Sequence, residues 1–225
     1  MKVAIVIPDG LSAVLFCSGM IRALRGYPGS EVAVISESGE WADRIREMGA
    51  RSIELQMYRY ISPLRDIMYV FKLAQILRRE EFDAVINFST KPNIYGPISA
   101  RLSGCKLVVG HVVGLGSTFV PSERGRFSGA ALRIVVRLLY RLASTLSNAM
   151  WFTNPHDLAY FKQKGLLGRT QALLTRNYLD VNRYTTGSAS DEESWSLRSE
   201  LGLKSDDRVV LMIARMIWAK GIREF

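Results

Sequence analysis

Cysteine and long hydrophobic runs are both scarce in this sequence. It holds two cysteines in 225 residues. Cys17 and Cys105 lack the spacing of metal ligands, so we expect reduced thiols in a cytosolic protein and no metal site. No run approaches the roughly 20 apolar residues of a membrane-spanning helix, and the apolar N-terminal stretch of about six residues is too short for a signal peptide. These absences predict a protein that is soluble or lies on a membrane surface.

Several common catalytic and nucleotide-binding motifs are also missing. The sequence contains no P-loop, no GxSxG nucleophile turn, no HExxH and no paired-cysteine site. The turn PDGLSA at residues 8–13 lacks GxGxxG, which argues against a dehydrogenase. The formal net charge of +9 suits nucleic acid, anionic lipid or phosphorylated small molecules as partners. Without a helix-turn-helix, zinc-finger or RNP-like motif, nucleic acid is the least supported of these.

Apolar strand-like segments alternate with amphipathic helix-like segments through the first 180 residues. With 48% hydrophobic residues, the chain has enough apolar surface for a sizeable core. We predict strands at 3–7, 31–36, 52–55, 84–88, 107–109, 149–152 and 172–174. We predict helices near 13–25, 41–48, 64–79, 94–102, 129–144 and 155–164. This alternation predicts an α/β fold, with a Rossmann-like, doubly wound parallel sheet covered on both faces.

A polar segment predicts a domain boundary. Residues 185–193 read TTGSASDEE, without a hydrophobic period. We therefore divide the chain into a first domain at 1–185, a linker at 186–205 and a truncated second Rossmann-like domain at 206–225. The run VVLMIA at 209–214 predicts the first, buried strand of that second domain. Arg215 and Lys220 follow it where open α/β sheets bind ligands, and they suit a diphosphate, with a basic solvated turn as the alternative.

Two loops of the first domain contain candidate binding residues. In STKPNIYGPISARLSG at 89–104, Lys91 and Asn93 lie near a predicted helix N-terminus, which is an anion-binding position. Farther along, Gly114 and Gly116 in GLG would let backbone N–H groups approach a substrate closely. An ordinary helix start and a flexible loop are the alternatives. His111 is the candidate catalytic side chain at this edge, with a structural histidine as the alternative.

The predicted helix near 129–144 has a basic stripe. Arg133, Arg137 and Arg141 repeat every four residues beside a strongly apolar set, so they lie on one face of the helix. Such a face is compatible with peripheral binding to anionic lipid. A core helix with a solvated charged edge is the alternative.

Five blocks follow one another in the sequence: KPNIYG, GLGSTF, FTNPHDLAYF, RNYLDVNRY and ARMIWAKGI. Their order resembles that of bacterial family 4 glycosyltransferases with the GT-B fold, most of all enzymes of capsular and O-antigen polysaccharide synthesis. In that family an acceptor-side domain faces a nucleotide-sugar domain across a cleft. The resemblance implies that Arg215 and Lys220 contact the donor diphosphate, and that Gly114 and Gly116 border the donor sugar and acceptor.

The resemblance also implies a reaction. It implies retaining transfer, without metal or other cofactor, from a nucleotide-sugar that we expect to be UDP-linked. The acceptor would be a glycan or a polyprenyl-linked glycan, and the protein would be cytoplasmic, on the inner face of the plasma membrane. The chain departs from the family in its first turn, Asp9-Gly10-Leu11, and in Tyr178-Leu179-Asp180. The family's two-glutamate motif would lie beyond Phe225, so we expect the 225-residue chain to be inactive alone.

Two other functions stay open at this point. One is a non-catalytic glycan- or lipid-binding subunit that works with a separate donor-domain partner. The other is a sugar epimerase of the same fold, which would leave the KPNIYG and GLG blocks unexplained.

Overall fold

A computed structural model describes residues 1–58, 60–115, 126–176, 190–204, 206–214, 216 and 218–225, with the backbone alone at 126–131, 191, 193–194 and 219. The chain divides into two compact units, Met1–Leu179 and Asp180–Phe225. The predicted domain limits at 185 and 205 stay a prediction. Gly116 and Arg215 lie outside the described residues.

The first unit is built on a seven-stranded parallel sheet with the order β3-β2-β1-β4-β5-β6-β7. The strands are β1 (Lys2–Asp9), β2 (Glu31–Glu37), β3 (Arg51–Glu54), β4 (Ala84–Phe88), β5 (Leu107–Val112), β6 (Ala149–Phe152) and β7 (Gln171–Leu174). Ile5 of β1 lies between Val34 of β2 and Ile86 of β4, which fixes the central register. The strand order reverses beside β1, so the predicted doubly wound, Rossmann-like fold is confirmed.

Helices connect these strands and cover both faces of the sheet. They are α1 (Gly10–Arg25), α2 (Ala42–Glu47), α3 (Pro63–Glu80), α4 (Thr90–Ser103), α5 (Arg126–Leu146) and α6 (Pro155–Gln163). Successive residues of β1 face opposite helix layers. Ile5 packs in one hydrophobic cluster with Cys17 of α1, and Val6 packs in a second cluster with Leu73 of α3. Helix α4 packs between α3 and α5, so these three helices belong to one layer. Cys17 and Cys105 are both free and buried.

The second unit contains one α-helix in the part described, α7 (Asp191–Glu200). Gly202 ends it with φ of +68°, and the Leu203 N–H donates to the Arg198 carbonyl at 2.8 Å. The predicted strand at 209–214 is wrong, because none of these residues is in a strand. A parallel strand is stabilised by hydrogen bonds to its neighbours, and the apolar side chains Val210 and Ile213 are exposed here instead of packed in a sheet.

Candidate functional site

The carboxyl ends of β1, β4 and β5 meet at one edge of the sheet, where open α/β folds bind ligands. At the end of β1, the Asp9 carboxylate caps α1: it accepts the Ser12 N–H at 2.7 Å and the Ser12 hydroxyl at 2.9 Å. Gly10 is closely packed, since an added Cβ would lie 2.7 Å from the Ser38 carbonyl oxygen. The Asp9 carboxylate therefore already occupies the N-cap position of α1, and its negative charge disfavours a phosphate there.

The turn between β4 and α4 is strained. Ser89 has φ of 76° and ψ of 171°, a region that glycine adopts readily and other residues avoid. Its carbonyl accepts the Asn93 N–H at 3.0 Å, which closes the first turn of α4. Such strain occurs often at functional sites, so the turn is a candidate ligand contact.

Asn93 ties α4 to β5 through both of its amide groups. Its Oδ1 accepts the His111 backbone N–H and its Nδ2 donates to the His111 carbonyl, each at 2.9 Å. Gly110 permits this approach, because a Cβ there would lie 3.0 Å from Asn93 Oδ1 and 2.4 Å from Met150 Sδ. The side chain of Asn93 is fully buried. It therefore holds the end of β5 in place, and its predicted contact with substrate stays a prediction.

Asn87 and Gly96 form a second buried contact that the sequence analysis missed. Asn87 Nδ2 donates to the Val109 carbonyl at 3.1 Å. Its Oδ1 is buried, and no described residue gives it a hydrogen-bond partner. A Cβ on Gly96 would lie 1.8 Å from that oxygen, so only glycine fits in this turn of α4. The asparagine within the otherwise apolar run AVINF was the available signal.

His111 is 5% exposed at the end of β5. Its ring makes edge-to-face contacts with Phe88, at 4.5 Å between centroids, and with Trp151, at 5.9 Å. Nε2 lies 3.5 Å from Thr175 Oγ1, while no described residue pairs with Nδ1. Burial lowers the pKa of His111 from 6.5 to about 4, so the imidazole is neutral at pH 7.

Lys91 directs its ammonium into the protein. Its side chain is 14% exposed and donates to the carbonyls of Tyr58 and Tyr60, each at 2.8 Å, and to Asp66 Oδ1. Asp66 Oδ2 also accepts the Tyr95 hydroxyl at 3.0 Å. These bonds use the three donors of an ammonium group, so the predicted role of Lys91 in binding substrate remains a prediction.

Two further candidates, Gly114 and Lys220, belong to different units of the chain. Gly114 follows β5, and a Cβ there would meet no described atom within 4 Å. Lys220 is exposed in the short 3-10 turn Trp218–Lys220 of the second unit. A shallow depression of about 380 Å³ between Arg46 and Ser52 lies at the amino end of β3, the end of the sheet opposite to His111. We assign it no role in ligand binding, because ligands of this fold class bind at the carboxyl edge.

The predicted basic stripe lies on α5, and two of its arginines contact the rest of the first unit. Arg137 Nε donates to the Tyr160 hydroxyl at 2.8 Å, and Arg141 donates to the Gly165 carbonyl. Ile134, Val135, Leu138 and Leu142 form an exposed apolar stripe on the same helix. Among the helices that the structure describes, none is long and apolar enough to cross a bilayer. The described residues also contain no cluster of His, Cys, Asp or Glu that could hold a metal ion.

Comparison with known proteins identifies related sequences. A family model described as "Glycosyl transferase 4-like domain" matches residues 14–166. The chain is 24% identical, over its whole length and 59% of the relative's, to the N,N'-diacetylbacillosaminyl-diphospho-undecaprenol alpha-1,3-N-acetylgalactosaminyltransferase of Campylobacter jejuni. It is 22% identical, over 81% of its length and 45% of the relative's, to the UDP-Gal:alpha-D-GlcNAc-diphosphoundecaprenol alpha-1,3-galactosyltransferase of Escherichia coli. The chain thus spans about half the length of these relatives.

A solved structure has the same fold. The Anabaena protein HepE, crystallised with UDP and glucose, superimposes with a TM-score of 0.59 at 18% identity. The match covers 90% of this chain and 50% of HepE. At this identity the likeness concerns the fold alone.

Proposed function

The chain belongs to the family of glycosyl transferase 4-like domains, whose model matches well over half of it, and from this premise we propose that it is the acceptor-side part of a glycosyltransferase acting on lipid-linked glycans. The resemblance based on the five blocks is confirmed at the level of the family. The donor would be a nucleotide-sugar, UDP-linked by analogy with the Escherichia coli relative. The acceptor would be a saccharide on undecaprenyl diphosphate, the carrier for which both relatives are named.

The match to the Campylobacter jejuni enzyme over the whole chain is the observation that carries this proposal. The carboxyl edge of the sheet supports it. Helix α4, which carries KPNIYG, follows β4, and Gly114 follows the neighbouring strand β5, so the two segments leave the sheet side by side, with Asn93 joining α4 to the end of β5. That arrangement provides backbone groups for sugar hydroxyls, with Gly114 unobstructed by any described atom.

The chemistry that we propose is retaining transfer without a metal ion. An acceptor hydroxyl oxygen bonds to the anomeric carbon as the bond from that carbon to the nucleoside diphosphate breaks. The proton of the hydroxyl passes to the leaving phosphate. Arg215 and Lys220 would stabilise the charge that develops on the diphosphate, as cations do in other phosphate sites.

His111 would contribute a hydrogen bond in this reaction, not a charge. An efficient general base has a pKa near the working pH, whereas burial lowers the pKa of His111 to about 4. We therefore propose that His111 positions the end of β5 or accepts one bond from a substrate hydroxyl.

Peripheral contact with the cytosolic face of the membrane is part of the same proposal. The apolar stripe and arginines of α5 support it, since an amphipathic helix with basic flanks suits an anionic lipid surface. Charge reversal at Arg137 would also break its bond to Tyr160. Variants that test whether this helix binds lipid should therefore replace its exposed apolar side chains and not its arginines.

The experiment compares three samples: the 225-residue chain, the same chain extended by a donor-binding domain, and the two parts mixed. Each receives radiolabelled UDP-sugars and undecaprenyl-diphosphate-linked saccharides. We expect transfer by the extended chain and none by the 225-residue chain. Transfer only on mixing would support the alternative, a subunit working with a separate donor-domain partner. Robust transfer by the 225 residues alone would contradict the proposed incompleteness, and no transfer by any sample would contradict the proposed activity.

A further inference from the structure

Helix α3 begins with an exposed apolar face. Leu64, Ile67, Met68 and Phe71 are 79%, 54%, 55% and 64% exposed. Their spacing of three, four and seven residues places them on one side of the first two turns. An exposed run of four large apolar side chains on one face is a mark of an interaction surface in a soluble protein.

The segment before α3 extends this face. Tyr58, Tyr60 and Ile61 are also exposed. We name the seven side chains together the α3 platform: Tyr58, Tyr60, Ile61, Leu64, Ile67, Met68 and Phe71. Two tyrosines at the border of an apolar surface suit the interface between lipid and water, because one end of the ring is apolar and the other is polar.

Lys91 fixes the platform to the fold. Lys91 lies in α4, and its ammonium donates hydrogen bonds to the carbonyls of Tyr58 and Tyr60. Asp66, which also binds this ammonium, accepts the Ser62 N–H at 3.3 Å. The exposed aromatic segment is thereby anchored at both ends. A surface that is ordered in advance loses less entropy on binding.

The charges around the platform indicate its partner. Between residues 58 and 79 the sequence has one acidic residue, Asp66, and that carboxylate is buried against Lys91. Arg65 and Lys72 are exposed on α3, and the Arg65 guanidinium lies 4.2 Å from the centre of the Tyr58 ring. An apolar face that is bordered by Arg65 and Lys72, and whose own segment at 58–79 has no exposed carboxylate among the described residues, complements an anionic lipid surface.

We propose that the α3 platform binds an anionic phospholipid bilayer, with its apolar side chains in the boundary between headgroups and acyl chains. Because α3 begins at the carboxyl edge of the sheet, this contact would bring the bilayer to the same edge as His111 and Gly114. A lipid-linked acceptor would then reach the site with its carrier still in the membrane. This purpose rests on the proposed function, whereas the binding itself requires no sugar transfer.

Flotation of the 225-residue chain with vesicles tests the platform. The vesicles are equimolar phosphatidylglycerol and phosphatidylcholine, compared with phosphatidylcholine alone. We expect binding to the anionic vesicles and a loss of at least about tenfold in partitioning for M68S/F71S. The matched control is Y27S/L102S, which removes two exposed apolar side chains outside the platform and should bind as the wild type does.

Further measurements separate lipid binding from other roles of this face. Both double variants should unfold at the wild-type temperature, because their side chains are exposed. Lys91→Met should speed hydrogen exchange at 58–62 and weaken vesicle binding, as expected if the cluster orders the platform. Equal flotation of the wild type and M68S/F71S would overturn the proposal, as would a dimer that this variant alone dissociates. Intact flotation of the 225-residue chain, together with no sugar transfer by the extended chain or by the mixed parts, would overturn the proposed function and leave the platform standing.

Discussion

Replacing His111 with glutamine tests how much the buried, neutral imidazole contributes to the pH dependence of the free energy of unfolding. The ring lies between Phe88 and Trp151, and burial lowers its pKa from 6.5 to about 4. Between pH 6.5 and about pH 4, His111 is therefore protonated in the unfolded chain and neutral in the folded chain. It follows that the stability contributed by neutral His111 is complete above pH 6.5 and is lost as the pH falls towards 4.

The magnitude follows from the two pKa values. A difference of one in pKa corresponds to about 1.4 kcal/mol. The difference between 6.5 and about 4 therefore destabilises the wild type by about 2 kcal/mol at pH 5 and about 3 kcal/mol at pH 4, relative to pH 7. H111Q has no imidazole to protonate. As the pH falls from 7, its free energy of unfolding should therefore decrease by about 2 kcal/mol less than that of the wild type at pH 5, and by about 3 kcal/mol less at pH 4.

The assay is urea unfolding at pH 7, 5 and 4, followed by tryptophan fluorescence. Carboxylates titrate over the same range in both proteins, so the difference between them isolates His111. H156Q removes the protein's other histidine, which is exposed, and should keep the wild-type pH dependence. Equal pH dependence of the wild type and H111Q would refute the buried, neutral ring and revive His111 as a candidate base.

Three further predictions concern other parts of the fold. Ser89→Gly should raise the free energy of unfolding by about 1 kcal/mol, because glycine adopts the observed φ of 76° without strain; a loss of stability would contradict it. Gly96→Ala should cost about 2–4 kcal/mol by displacing Asn87, whereas Gly114→Ala should cost under about 1 kcal/mol; equal costs in urea unfolding would refute the close contact. Leu138→Glu on α5 should lower flotation with anionic vesicles and leave the unfolding temperature unchanged, and undiminished flotation would exclude α5 from the membrane contact.

The sheet was predictable because each of its strands carries a local signal. Buried parallel strands such as AVINF in β4 are apolar along their length, and the helices between them have a different period. The run at 209–214 has the same local signal, yet no strand forms there. An apolar composition shows that a segment is able to form a strand. Whether it does so depends on neighbouring strands with which it can pair, and the local composition does not reveal these.

The contacts that build the candidate site were less predictable. Asn93 and His111 are 18 residues apart, and Lys91 reaches a carbonyl 33 residues away. Both pairs are set by how α4 lies on the sheet, so the sequence indicated polar residues at the correct edge but not their partners. The exposed face of α3 escaped notice for a related reason: an apolar stripe on a helix usually faces the core, and only the fold shows which stripe faces out.

Acceptor binding is the most direct measurement of the central claim, that this chain is the acceptor-side part of a lipid-linked glycan glycosyltransferase. Nanodiscs of fixed phosphatidylglycerol content would be prepared with and without an undecaprenyl-diphosphate-linked N-acetyl sugar, and their affinity for the 225-residue chain compared. We expect at least about tenfold tighter binding to nanodiscs that carry the acceptor, which corresponds to about 1.4 kcal/mol. Equal affinity for both kinds of nanodisc would contradict the assignment.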